Sequence, residues 1–186
     1  MVPKLEPQEK NLLRKALSFA QKKNVKLYLV GGYLRDIILK RKKENPDIDF
    51  CLKKGAINFG RGLARELEAG FVVLDKEHGC ARLVKRIGKR AYTLDFTDFR
   101  GRTLEDDLRA RDFTINALAI ELKDFLRPGD LNRYLVDPAG ARKALEKKVI
   151  CAIGKNGFDA DPLRILRAFS LSAIFGFKIC PRTCRW

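Results

Sequence analysis

Residues 26–52 read KLYLVGGYLRDIILKRKKENPDIDFCL, and this stretch decides the fold because it sets a glycine pair a short distance ahead of a D-x-D carboxylate pair. Residues 26–30 are short, apolar and β-branched enough for a buried strand, which Gly31 and Gly32 end where the chain must turn. Residues 34–40 then have the pattern of a helix. A backbone without Cβ atoms at a strand-to-helix turn lets an anion approach closely, and the free N–H groups of a helix start point at it. Phosphate is the natural guest. Residues 47–52 alternate as a strand does, so Asp47 and Asp49 leave the same face of a sheet. Carboxylates so placed can share hard, oxygen-seeking cations such as magnesium. A metal pair roughly 3.5–4 Å apart activates an attacking hydroxyl and stabilises a leaving pyrophosphate at once. Taken alone, a G-G pair is more often a plain turn, and N-P-D-I-D more often a solvated entry into a strand. Their order and spacing point to an enzyme that handles a nucleoside triphosphate with divalent metal.

Composition agrees. The 186 residues, 46% of them hydrophobic, can bury a real core in one domain with an appended element. A formal charge of +16, from 39 Lys plus Arg against 23 Asp plus Glu, attracts polyanions and makes RNA or DNA the expected partner class. Basic runs at residues 40–43 and 85–90 suit an RNA path and equally suit a solvated surface. Five scattered cysteines, an odd number, argue against a disulfide framework and for a reducing compartment. A zinc site or a Ser-His-Asp triad is poorly supported, because His78 is the only histidine and Cys180 and Cys184 lack nearby partners. Residues 1–10 are polar and proline-bearing, and no segment has the length and apolarity to cross a bilayer, so the expected location is the cytoplasm, with no membrane partner.

Working outward, residues 8–23 carry an apolar stripe at Leu12, Leu13, Ala16, Leu17 and Ala20, which predicts a helix packed on the sheet. Residues 59–69 read as a helix ended by Gly70, and residues 71–74, 81–85 and 91–96 as strands joined by turns at Gly79 and Gly88. The fold class is therefore α/β (α+β), a mixed β-sheet flanked by helices. A boundary is expected at residues 153–158, where Gly154 and Gly157 separate the sheet from a final helix. Asp95 sits in T-L-D-F-T among apolar neighbours, where a carboxylate is costly unless a cation or donor meets it. An edge-strand residue facing water would explain it as well. Thr103 and Asp106 suit the cap of a helix entering residues 104–116, LEDDLRARDFTIN. Asp161 and Pro162 suit the start of the last helix, whose Asp161, Arg164 and Arg167 form a polar face against an apolar side of Leu163, Leu166 and Phe169. Local physics alone favours capped, salt-bridged helix ends at both places.

V-G-G-Y-L-R-D-I-I-L, a short basic link and D-I-D together resemble the first motif of class II tRNA nucleotidyltransferases and bacterial poly(A) polymerases, within the polymerase beta-like nucleotidyltransferase group. The resemblance implies a nucleotidyltransferase head at residues 1–153 and the truncated start of a helical neck at residues 154–186, before body and tail domains. It implies that Asp47 and Asp49 hold Mg2+, that Asp95 is a third ligand or general base at the attacking hydroxyl, and that Gly31, Gly32 and Arg35 bind the triphosphate; Asp36 would orient the loop. R-A-R-D-F-T-I-N-A-L-A is similar to the family's R-R-D-F-T-I-N-A-L, with Ala110 in place of its first arginine. Arg111 would then contact the nucleotide and Asp112 the ribose hydroxyls, while Asn116 holds the local backbone. V-D-P-A-G resembles a hinge motif, with Ala141 and Ala144 at departures. D-P-L-R-I-L-R resembles the base-reading E-D-x-x-R, with Asp161 and Arg164 on the base edge and Arg167 facing the nucleotide. Ala160 and Ser170 depart from that pattern. The implied activity is template-independent transfer of CMP or AMP from CTP or ATP to the 3′ end of tRNA. The alternatives are a poly(A) polymerase, a catalytically incomplete RNA-binding module and nucleotidyl transfer to a small molecule, the last disfavoured by charge.

Overall fold

The computed structural model describes residues 5–186 of the chain. Helix α1 (Pro7–Lys22) leads into strand β1 (Tyr28–Val30), helix α2 (Gly31–Ile38), strand β2 (Asp47–Leu52) and helix α3 (Ala56–Leu67). Three strands follow, β3 (Gly70–Asp75), β4 (Cys80–Ile87) and β5 (Arg90–Asp98), then α4 (Leu104–Arg109), a 3-10 turn (Thr114–Asn116), β6 (Ala119–Glu121) and α5 (Leu122–Phe125). A second 3-10 turn (Leu131–Arg133), α6 (Ala141–Glu146), β7 (Val149–Ile150), α7 (Asn156–Ala160), α8 (Leu163–Phe175), β8 (Lys178–Ile179) and α9 (Pro181–Cys184) complete the chain.

Six strands form one mixed sheet in the order β3-β4-β5-β2-β1-β6. Only β2 and β5 run parallel within it, pairing Asp47 with Thr93 and Asp49 with Asp95. Period-two alternation gives the two faces opposite characters. Ile48, Phe50, Leu52, Leu94 and Phe96 are buried on one face, where they meet the apolar stripe of α1 and the inner side of α3. Phe50 stacks on Phe96 with ring centroids 5.1 Å apart, and Phe59 of α3 leans on Phe96 at 5.4 Å. Asp47, Asp49 and Asp95 leave the other face. A smaller cluster of Val30, Cys51, Leu104, Leu108, Ala117 and Ala119 closes one end of that second face.

Several element ends differ from the sequence reading. Helix α2 begins at Gly31 itself, not at residue 34, so the glycine pair forms its first turn and Gly31 takes φ +67°. Helix α3 begins at Ala56 because Asp98, forty-two residues away, accepts a 2.7 Å hydrogen bond from the Ala56 N–H. It ends at Glu68 in the left-handed region (φ +50°), and Gly70 opens β3 in place of closing the helix. The expected cap is in place, with Thr103 accepting from the Asp106 N–H at 3.1 Å, and α4 runs as far as Arg109. Across the glycine-bearing stretch at 153–158, β7 and β8 pair in parallel, with Val149 opposite Lys178 and Ile150 opposite Ile179. The last helix is thereby tied back to the sheet-bearing part. Among the described residues no helix is long and apolar enough to cross a membrane.

Candidate active site

The polar face of the sheet forms the floor of a cavity of about 630 Å³. Gly31, Gly32, Arg35, Asp47, Asp49, Asp95, Arg111, Asp112, Asp161, Arg164 and Arg167 all line it, although they lie on five separate segments of chain. Each arrives by a local rule. Asp47 and Asp49 stand two apart on β2, and register places Asp95 of the parallel neighbour beside Asp49. The start of α2 lies over Asp49: a Cβ on Gly31 would stand 3.1 Å from Asp49 Oδ2 and 3.0 Å from Arg111 Nη1. The start of α2 therefore lies directly against the carboxylates, with the Gly31 N–H itself donating to the Leu118 carbonyl at 3.3 Å.

Burial is the main influence on Asp49. It pushes the carboxyl up to about 6, with Arg111 drawing it down and the charges of Asp95 and Asp47 pushing it further up. A carboxylate held this way gains from a bound cation. Asp47 is exposed, and Lys43 bridges it to Asp36 at 3.5 and 3.6 Å. Asp95 is held by Arg82 of β4 in a two-pronged ion pair, Nε to Oδ1 and Nη2 to Oδ2, each 2.8 Å. No group of three or more His, Cys, Asp or Glu side chains among the described residues forms a metal site by itself. The donor set that is present, open carboxylates beside a phosphate-sized turn, suits magnesium, which binds through one or two carboxylates and completes its shell with phosphate oxygens and water.

Arg35 is buried, and its guanidinium is largely engaged inside the protein. Nε and Nη2 donate to Asp36 Oδ1 at 3.0 and 2.9 Å, and Nη1 donates to Asn116 Oδ1 at 2.6 Å. Asn116 in turn donates to Asp112 Oδ1 at 3.0 Å, so it links α2 to the loop after α4. Asp112 also accepts from the Phe113 N–H at 2.7 Å and from Arg167 Nε at 3.0 Å. Burial alone would raise the Asp112 carboxyl, but the Asn116 hydrogen bond, the Arg167 charge and the backbone N–H outweigh it and hold it below the ordinary value. Arg111 is fixed from behind by Asp107, which is 1% exposed and accepts from Nε and Nη2 at 3.2 and 2.9 Å. From α8, Arg164 donates to the Arg111 carbonyl at 3.5 Å and lies 3.6 Å from Asp161, whose other oxygen accepts from the Leu163 N–H at 3.1 Å.

The polar side of α8 thus faces the cavity. The apolar side of Leu163, Leu166 and Phe169 faces outward, each at least 63% exposed, the reverse of an ordinary surface helix. The Ala160 side chain lies outside the described residues, and Ser170 is at the cavity wall. Arg82 and Arg100 also line the cavity, and the sequence reading gave neither a role there; Lys43 lines it too, from the basic run read as an RNA path or a solvated surface. One signal was available for Arg82. The β4–β5 hairpin turns at Gly88 and Lys89, and counting back from Ile87 opposite Arg90 sets Arg82 opposite Asp95.

Comparison with known proteins gives a consistent picture. Residues 27–151 match the family model described as the poly A polymerase head domain. The chain is 37% identical over 155 residues to the CC-adding tRNA nucleotidyltransferase of Synechocystis sp., covering 83% of this chain and 34% of that protein. It is 35% identical over 175 residues to the A-adding tRNA nucleotidyltransferase of Aquifex aeolicus, covering 86% of this chain and 20% of that protein. The solved Thermotoga maritima CCA-adding enzyme complexed with tRNA superposes with a TM-score of 0.80 at 33% identity, over 97% of this chain and 41% of the other. The chain therefore spans about a third or less of the length of these two curated relatives.

Proposed function

This chain belongs to the poly A polymerase head domain family, and on that premise we propose that it is the nucleotide-transferring part of a template-independent tRNA nucleotidyltransferase that adds CMP, AMP or both to an RNA 3′ end. The observation that carries the reading is the gathering of metal-binding, phosphate-binding, sugar-binding and base-reading candidates around one cavity. Residues 1–153 act as the head, and residues 154–186 begin a neck whose α8 supplies the base-reading side chains. The +16 charge suits an RNA partner. The setting we infer is the cytoplasm.

Asp47 and Asp49 would hold Mg2+. When bound, the metal lowers the barrier to attack by the RNA 3′ hydroxyl and neutralises charge on the leaving pyrophosphate. The chain's own residues then position the reactants. Gly31, Gly32 and the N–H groups opening α2 receive the triphosphate, with Arg111 as the directed cation beside them. Arg35, committed to Asp36 and Asn116, braces this turn and has spare N–H groups for a phosphate oxygen. Asp112, ionised at neutral pH, accepts from the ribose hydroxyls, which favours ribonucleotides over deoxynucleotides. Asp161 and Arg164 offer an acceptor and a donor to the base edge, with Arg167 beside them. Asp95 orients the attacking hydroxyl once it parts from Arg82.

The test uses tRNAs ending before, within and after CCA, with CTP and ATP supplied separately. Changing Asp47 and Asp49 together to Ala should abolish incorporation while leaving salt-sensitive RNA binding intact. An unchanged incorporation rate in that variant refutes the assignment, and turnover without RNA would favour a small-molecule acceptor.

A further inference from the structure

Two of the places where helix α8 meets the head lie about 12 Å apart along its axis, taking 1.5 Å per residue from Arg167 to Phe175. The first is the ion pair of Arg167 with Asp112 at 2.7 Å. The second is at the other end of the helix, where two guanidinium groups lie over the Phe175 ring: Arg35 with its central carbon 4.4 Å from the ring centroid, and Arg41 at 4.6 Å. Arg41 also donates to the Ile174 carbonyl at 3.1 Å. These contacts are coupled. Arg35 binds Asn116, Asn116 binds Asp112, and Asp112 binds Arg167, so a closed loop of contacts runs from Phe175 through the head and back to α8.

Beyond these, Arg164 reaches the Arg111 carbonyl, Ala168 and Leu171 pack against the core, and much of the rest of the helix is open. Leu163, Leu166, Phe169 and Ile174 are all more than half exposed, and Ala168 is its one buried side chain. Apolar packing of this helix against the core is confined to Ala168, Leu171 and Phe175, so a directional contact between the Phe175 ring and the cations has a large share in fixing its depth and rotation.

We infer that Phe175 is a positioning residue for nucleobase choice: seated against Arg35 and Arg41, it fixes how α8 lies along the head and so where Asp161 and Arg164 meet the base. This rests on the function proposed above. Phe175 touches neither base nor sugar, and it acts through the helix. The geometry predicts a specific signature. CTP and ATP carry the same triphosphate and ribose, so a change that merely weakened the fold would lower affinity for both alike, whereas a displaced α8 changes their ratio.

The experiment is magnesium-dependent binding of CTP and of ATP to the full chain by calorimetry, for the wild type and for Phe175→Ala, Phe175→Tyr and Arg41→Gln. Phe175→Ala should shift the CTP-to-ATP affinity ratio by roughly three- to thirtyfold, the range open to a loss of two contacts of this kind. Phe175→Tyr keeps the aromatic face and should retain the wild-type ratio. Arg41→Gln removes the outer cation and its hydrogen bond to the Ile174 carbonyl but leaves Arg35 on the ring, and should shift the ratio in the same direction by less, which keeps the test open should Phe175→Ala fail to fold. An unchanged ratio in folded Phe175→Ala, or in Arg41→Gln if the former does not fold, overturns the inference. Absence of binding of either nucleotide by the wild type overturns the functional reading on which it depends.

Discussion

Asp49→Asn should make the metal-free chain more stable at neutral pH while removing its ability to use metal. Burial, the largest cause, and the neighbouring charges of Asp95 and Asp47 raise the Asp49 carboxyl from 3.8 to about 6 in the fold, against the pull of Arg111. Between these values the folded chain holds a proton that the unfolded chain has released. Stability from this group is therefore complete below about pH 4, declines as pH rises through about 6, and is absent above it. Each tenfold change in acidity is worth about 1.4 kcal/mol, so the ionised group costs the metal-free fold up to about 3 kcal/mol. Allowing for partial solvent access, about 1–3 kcal/mol should return when a neutral amide of the same shape replaces it. For a chain of this size that is a rise in Tm of roughly 3–10 °C. Circular dichroism melts in chelator at pH 7.5 and pH 4 provide the assay, with the gain expected at the higher pH and nearly gone at the lower. Saturating magnesium should raise the Tm of the wild type and leave that of the variant unchanged. An Asn variant no more stable than wild type at pH 7.5, or equally stabilised at both pH values, would refute the argument that burial and charge crowding prepare this carboxylate for a cation.

Two further outcomes follow from the walls of the cavity. Asp107→Ala leaves the Arg111 guanidinium, 14% exposed at the side chain, without its buried counter-ion; a loss of about 3–5 kcal/mol in urea unfolding is expected, and a loss below about 1 kcal/mol would show that Arg111 is held by something else. Gly31→Ala puts a Cβ at 3.0 Å from Arg111 Nη1 in a backbone at φ +67°, so it should cost about 1–2 kcal/mol and weaken triphosphate binding roughly tenfold or more. Gly55→Ala is the control, strained at φ +91° but with nothing within 4 Å of the new carbon, and it should lose stability while keeping nucleotide affinity in differential binding measurements.

Most of the head was legible because its signals are local. The span of β2 matches the alternation of residues 47–52, and the α1 stripe of Leu12, Leu13, Ala16 and Ala20 is buried as periodicity requires. The Thr103 cap and the turns at Gly79 and Gly88, both at φ +61°, were readable for the same reason. The misread ends depended on distant partners. The start of α3 is set by the Asp98 carboxylate, which no window around residue 56 contains. The 3-10 turn at Thr114–Asn116 follows the packing of Ile115 into the core and the pairing of the Thr114 N–H with the Cys151 carbonyl, not any local helical preference.

The cavity divides in the same way. Sequence by itself determined which residue types stand at which spacing: two carboxylates on one strand face, a glycine turn before them, an Arg-Asp pair and a capped basic helix. It also fixed the resemblance those motifs carry. Tertiary structure alone decided the partners. It engaged Arg35 with Asp36 and Asn116, set Arg82 on Asp95 and Lys43 between Asp36 and Asp47, and turned the polar side of α8 inward so that Leu163 and Leu166 face out. The physical reason is range. Side-chain periodicity and backbone conformation are fixed by neighbours a few residues apart, whereas the counter-ion of a buried charge is whichever group the sheet register and helix docking bring within a few ångströms, and that distance is not written in any one stretch of chain.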